Sequence, residues 1–298
     1  MNTKEKVDVY QMVTDRIIAK LKEGVCPWRH FASNPLTEPK NFVSKRAYHG
    51  INRLLLSGSK HNSDYYLTFN QCADLSGRIK KGAKSEIVVF WRFIDVEDKD
   101  NPGETKQIPF LKYYRVFSIE DAEGIDYAKL PEQTERDSDP IEEAEAIVNN
   151  MPNRPRIVID KTPKAFYSPS EDYVYMTERT ACVSDSAYYS TLLHELGHSV
   201  AHKSRLNLME NDTAWGRFGS KSYSQEELRA EMSSAMLCAE AGIFQETEEN
   251  SVAYIANWLT KLENDKTLVV HAAGKAQKAA DWILGRTEQP RVDLPMAA

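Results

Sequence analysis

The pentapeptide His194-Glu195-Leu196-Gly197-His198, set in the run TLLHELGHSV, constrains this chain most tightly. Leu192, Leu193, Leu196 and Val200 recur around it at helical spacing, so the segment reads as a buried helix, capped by Ser184 or Asp185 and running to about Ala201. On a helix, i and i+4 positions share one face about one turn apart. Two neutral imidazoles so placed can bind one zinc ion, and Glu195 projects near it as a general base without having to ligate. The apolar surroundings place this H-E-x-x-H motif inside a fold rather than on a surface.

A third ligand must come from elsewhere. A metzincin would carry a histidine six residues beyond His198, and Ser204 stands there, which excludes that class. The later run EELRAEM offers Glu227 and Glu231, four apart and so on one helix face. Glu231 lies deeper in the apolar stretch AEMSSAML and is the expected ligand; Glu227 reads as an exposed capping acid following Ser224. His202 extends the i+4 ladder but falls about 6 Å further along the axis, so it reads as a helix-end residue. His194, His198 and Glu231 leave an open coordination position, as catalytic zinc sites do and four-ligand structural sites do not. An oxyanion-stabilising Tyr or His is also expected, with Tyr188, Tyr189, Tyr223 and His202 unranked. Residues 203–223 read as a loop between the two ligand helices, able to close over the site.

Composition separates the chain into unlike halves. Its 298 residues suffice for two modest domains, and the net charge of −6 hides a split. Residues 1–119 carry 20 basic and 13 acidic side chains, or +7, whereas residues 120–298 carry 18 and 31, or −13. Ten Lys and Arg lie between Lys40 and Arg92, against Asp64, Asp74 and Glu86. An anionic partner for the first half follows. Cys26, Cys72, Cys182 and Cys238 form no C-x-x-C pair, so reduced thiols are expected rather than a zinc ribbon or disulfides. The amino terminus lacks a signal-peptide core and no apolar run approaches the roughly 20 residues of a membrane span. The expectation is a soluble, cytoplasmic protein.

Tyr10, Val13, Ile17 and Leu21 predict an opening amphipathic helix ending at Gly24. Residues 48–56 (YHGINRLLL) read as a second helix, and 85–94 with 112–119 as a β-hairpin across the charged turn DVEDKDNPGE. The polar, acidic segment 124–140 marks a boundary, with domains at 1–130 and 141–298 and a linker at 131–140. After it come a helix at 140–150, a strand at 156–160, a hairpin pairing 165–167 with 173–176, and helices from Ser224, at 251–263 and at 268–285. The fold class is α+β in two domains.

In the first half, Trp28, Tyr48, Tyr65, Tyr66, Phe69, Phe90, Trp91, Phe93, Tyr113 and Tyr114 are interleaved with Arg29, Lys45, Arg46, Arg53, Arg78, Lys80, Lys81, Lys84, Arg92, Lys112 and Arg115. Aromatic faces that stack bases, beside cations that neutralise phosphates, are how proteins hold single strands. No recognition helix for a duplex is present in the pattern.

With CPWRHF, AYHGINRLLL, YYLTFNQ and GRIKKGAKSEIVVFW in the first half, and YYSTLLHELGHSVAH, GRFGSKSYSQEELRAE, YIANWLTKLENDK and AQKAADWIL in the second, the chain resembles the ArdC-type antirestriction proteins of conjugative plasmids over nearly its full length. RIKKGAKSE departs from a more glycine-rich turn in that family. The resemblance implies an amino-terminal single-stranded-DNA-binding domain, similar to one in TraC-type plasmid primases, and a zincin-type metallopeptidase domain of the gluzincin kind. It implies His194, His198 and Glu231 as ligands of Zn2+, or of another divalent ion such as Mn2+, with Glu195 as catalytic acid/base. The expected DNA contacts are Trp28, Arg46, Tyr48, Asn52, Arg53, Lys80, Lys81, Lys84 and Trp91. The implied role is protection of incoming plasmid DNA from host restriction during conjugation, with an unidentified protein substrate such as a host restriction component. Two other readings use the same parts: a DNA-dependent protease acting on DNA-bound or crosslinked proteins, as SprT-type proteases do, and a single-strand-binding protein whose metal is purely structural.

Overall fold

The computed structural model describes residues 7–28, 38–57, 61, 63–98, 103–126, 139–160, 164–208, 221–243 and 252–286. Helix α1 (Val9–Lys22) forms where the apolar periodicity requires it: Asp8 caps it by accepting from the Gln11 amide at 3.2 Å, and Val13, Ile17 and Leu21 are buried. Strand β1 (Lys40–Asn41) follows, then α2 (Ile51–Ser57), which starts three residues later than the expected helix. The reason is Gly50, whose φ of +57° is left-handed, and the Tyr48 amide, which donates to the Pro39 carbonyl at 2.7 Å instead of entering a helix.

Strand β2 (Tyr65–Thr68) leads into α3 (Phe69–Asp74), a helix absent from the sequence reading although its signal is local. Thr68 and Gln71 form a capping box, each side chain bonded to the other's backbone amide. After β3 (Arg78–Ile79), the hairpin of β4 (Glu86–Glu97) and β5 (Thr105–Ser118) is longer than expected: residues 95–97, assigned to its turn, continue the ladder until Glu97 faces Thr105. The first sheet runs β1-β2-β5-β4, with β1 parallel to β2 and the other pairs antiparallel. β3 pairs separately with β6 (Ala122–Glu123).

In the second half, α4 (Pro140–Asn150) is capped by Asp139, and β7 (Arg156–Ile159), β8 (Phe166–Ser168) and β9 (Tyr173–Met176) form a sheet ordered β7-β9-β8. The expected 165–167/173–176 hairpin is its antiparallel pair. Helix α5 (Asp185–Ser199) carries the H-E-x-x-H motif, with Ser184 accepting from the Ala187 amide at 3.1 Å as N-cap. Then come α6 (Lys221–Ala241), α7 (Val252–Asn264) and α8 (Leu268–Ile283). Helix α6 starts at Lys221, so Ser224 lies inside it and is not its cap. The middle of the expected 203–223 loop, and most of the expected linker, lie outside the described residues.

Two contacts fix α5. A Cβ on Gly197 would sit 2.6 Å from Ser233 Oγ and 3.4 Å from Ala230 Cα, so α5 and α6 pack closely here and an added side chain would have to displace the Ser233 hydroxyl. Beyond its carboxyl end, buried Arg205 donates to the Ser199 carbonyl at 2.7 Å, the Asn153 carbonyl at 3.0 Å and the Asp172 carboxylate, tying the helix to the β8–β9 turn.

One continuous core serves both halves. Val13 and Ile17 of α1, Leu54 of α2 and Val89 of β4 join the cluster that holds Leu193 and Leu196 of α5, Met232 of α6, Trp258 of α7 and Ala273 of α8. Fully burying each such side chain contributes about 1.5–3 kcal/mol, so the halves stabilise one another. All four cysteines are free, and no described helix is long and apolar enough to cross a membrane.

Candidate metal centre

His194 and His198 project from one face of α5 with their Nε2 atoms 3.0 Å apart. Glu227 of α6 closes the group: its carboxylate oxygens lie 3.2 Å from His194 Nε2 and 3.7 Å from His198 Nε2. A tetrahedral site with bonds of about 2.0–2.1 Å has ligand–ligand edges of about 3.4 Å, so these spacings suit a small divalent ion. Among the described residues, His194, His198 and Glu227 are the set whose ligand atoms all lie within 4.8 Å of one another.

Glu231, the expected third ligand, is not in this set. Its Oε2 receives the indole N–H of Trp28 at 3.0 Å and the hydroxyl of Tyr254. Glu227 and Glu231 do share a face of α6, but the close crossing at Gly197 brings the earlier turn to the imidazoles and leaves Glu231 facing α7. The reading of Glu227 as an exposed capping acid fails for the same reason. Glu195 is buried at 8% exposure, and its charge reaches His194.

Glu226, which the sequence reading passed over, accepts from His198 Nδ1 at 3.0 Å. A carboxylate there directs the ring's other nitrogen toward a metal. Glu226 and Glu227 are consecutive, about 100° apart around the helix, and both reach the imidazoles. Desolvation would raise Glu226, but the charge of buried Arg229 and the His198 hydrogen bond outweigh it and hold the carboxyl at about 2. Desolvation would lower His194, yet the Glu227 hydrogen bond and the charges of Glu195, Glu227 and Glu231 push it up to about 9. The cluster is therefore strongly anionic and favours a cation.

Three of the four oxyanion candidates are engaged in other contacts. Tyr189 donates to Glu145 at 2.6 Å, Tyr188 packs edge-on against Tyr189, and His202 is bonded to Ser204 at 2.7 Å; the side chain of Tyr223 is outside the described residues. His202 is thus the helix-end residue its spacing suggests.

The expected DNA contacts divide. Arg46, Lys80, Lys81, Lys84 and Trp91 are exposed, with Trp91 at 42%. Lys81 sits in a tight turn in which the Ala83 amide donates to the Lys80 carbonyl at 3.1 Å and Gly82 takes φ +87°. Trp28, Tyr48, Asn52 and Arg53 are buried and present no surface to a strand in this structure. Trp28 is spent on the Glu231 cluster, and Tyr48 packs with Leu56, Tyr66, Val88 and Val116. Asn52 bonds both backbone groups of Val89, at 2.7 and 2.6 Å, bracing α2 against β4. Arg53 lies within the field of Glu240 and Asp281 from the second half. Arg29 and the side chain of Arg92 are outside the described residues.

Comparison with known proteins covers both halves. Residues 142–275 match the zincin-like metallopeptidase family, and residues 7–117 match the N-terminal domain of anti-restriction factor ArdC. The uncharacterized protein y4eC of Sinorhizobium fredii is 35% identical over 291 residues, spanning 93% of this chain and 91% of its own. DNA primase TraC of Escherichia coli is 31% identical across 95% of this chain, which spans only 20% of that primase. Antirestriction protein ArdC from the R388 plasmid has been solved metal-free and Mn(II)-bound. The metal-free structure matches at TM-score 0.72 and 35% identity over 93% of this chain and 97% of that one; the Mn(II)-bound structure gives 0.71 and 36% over 94% and 98%. Resemblance of this extent, in sequence and fold together, makes this chain a member of the ArdC antirestriction family, an α+β protein whose ArdC amino-terminal domain precedes a zincin-like metallopeptidase domain.

Proposed function

We propose that the zincin-like domain is a divalent-metal peptidase and that the amino-terminal domain binds single-stranded DNA, the two acting in the cytoplasm to protect incoming plasmid DNA from host restriction during conjugation. The observation that carries the peptidase reading is the convergence of His194, His198 and Glu227 beside buried Glu195. These three residues would hold Zn2+ or Mn2+, the ion seen in ArdC of the R388 plasmid. Three ligands leave an open position, which favours chemistry over a purely structural ion. Bound there, the ion would act as a Lewis acid on a scissile carbonyl. Glu195 takes a proton from the attacking water and returns it to the leaving amine, as a general base and then acid. Glu226 holds the His198 ring, and Trp28 and Tyr254 hold Glu231 at the rim. The substrate in this reading is a protein on the DNA, such as a host restriction component.

Exposed Arg46, Lys80, Lys81, Lys84 and Trp91, in the half whose net charge is +7, support the DNA reading. Fluorescence anisotropy with single-stranded and duplex oligonucleotides of equal length tests it. The single strand should bind more tightly, with affinity falling as salt rises, and replacing Lys80, Lys81 and Lys84 together by Ala should flatten that salt dependence. Equal binding to both forms, or to neither, would overturn the single-strand assignment.

A further inference from the structure

Trp28 belongs to the amino-terminal domain, yet it is 1% exposed inside the zincin-like domain. Its ring meets Trp258 of α7 edge-on, with centroids 5.8 Å apart. Its indole N–H lies 3.0 Å from Glu231 Oε2 and 3.2 Å from the Tyr254 hydroxyl, which itself bonds the same carboxylate oxygen. Both donors thus converge on one oxygen of a carboxylate whose charge reaches His194. The contact spans 203 residues of sequence, and α1, just ahead of Trp28, packs on the same helix α7.

We propose that Trp28 is a positioning residue for the metal centre: it fixes the Glu231 carboxylate, one turn along α6 from Glu227, so that the site is a composite of both domains. The argument rests on the metal reading given above. Donors converging on a carboxylate keep its negative charge in one place, and removing the indole N–H takes away one of the groups that orient it. Partners one shell out from a metal typically change its affinity by about 10–100-fold, and Trp28 acts through such a partner. The consequence for function is direct, because a shift of the amino-terminal segment would alter the field at the peptidase site with no change in the zincin-like domain's own residues.

Calorimetric titration of the full chain with MnCl2 and with ZnCl2 tests this. Trp28→Phe keeps an aromatic ring against Trp258 and removes the N–H together with the five-membered half of the indole, a loss of packing that the Glu231→Gln background separates from loss of the hydrogen bond. It should weaken Mn2+ and Zn2+ binding about tenfold, and the loss should vanish in a Glu231→Gln background. Wild-type affinity in Trp28→Phe overturns the proposal, as does a loss undiminished in Glu231→Gln, which would assign the effect to packing. Should Trp28→Phe not fold, the indole N–H resonances of the wild-type chain, which has five tryptophans, provide the second measurement. The Trp28 resonance should move on adding ZnCl2 and be displaced in Glu231→Gln; an unmoved resonance overturns the proposal. A wild-type chain that binds neither ion would sink the metal reading and this inference together, whereas a binding wild type matched by Trp28→Phe sinks this inference alone.

Discussion

Glu195→Gln is expected to lower peptidase turnover by about 10²–10⁴-fold, the usual contribution of a positioned general base. The substitution keeps the shape of a side chain that is only 8% exposed on α5 and removes the one carboxylate of the motif that is not needed for coordination. Cleavage of a casein-based fluorogenic substrate, with and without single-stranded DNA, reads the effect. Plasmid transfer into restricting and non-restricting recipients reads its consequence: if proteolysis serves protection, Glu195→Gln loses the advantage only in the restricting host. Wild-type turnover in Glu195→Gln would remove the general-base role, and unchanged protection would make the peptidase incidental to antirestriction.

Metal affinity should fall steeply with acid. His194, pushed up to about 9, carries a proton at neutral pH that a metal must displace. Below that pH the affinity should drop about tenfold per unit, since one pKa unit corresponds to about 1.4 kcal/mol, making binding at pH 6 roughly a thousandfold weaker than at pH 9. The same raised value has the opposite effect on the metal-free fold. A histidine whose folded pKa of about 9 exceeds its ordinary 6.5 contributes stability that is complete below 6.5 and lost as pH rises through 9. Calorimetry in buffers of different ionisation enthalpy counts the released proton directly. A pH-independent affinity between 6 and 9 would show that His194 is already neutral.

Local signals in the sequence carried far. The α5 helix and its two imidazoles followed from i, i+4 spacing in an apolar frame, and α1, α4, α7 and α8 formed close to where periodicity put them. What failed depended on contacts between distant segments. Glu227 and Glu231 are indistinguishable by helix face, and apolar neighbours alone favour Glu231, whereas it is the Glu227 carboxylate that lies with the two histidines. Trp28 looked like a stacking residue because basic residues follow it in the sequence, while its actual partner, Glu231, lies in the other domain. Tyr254 had no local signal at all. The short α3 helix, by contrast, carries a local signal, the T-x-x-Q capping box.

His194, His198 and Glu227 are proposed to form a divalent-metal centre. Titrating the full-length chain with ZnCl2 at pH 8, beside Glu227→Gln and Glu231→Gln, tests it most directly. The account predicts one ion per wild-type chain, a loss of more than about 100-fold in Glu227→Gln, and retained but weaker binding in Glu231→Gln, within the range of about 10–100-fold typical of outer partners. Binding that survives Glu227→Gln and disappears in Glu231→Gln would contradict it and return the ligand role to Glu231; no binding by the wild type would contradict the metal centre itself.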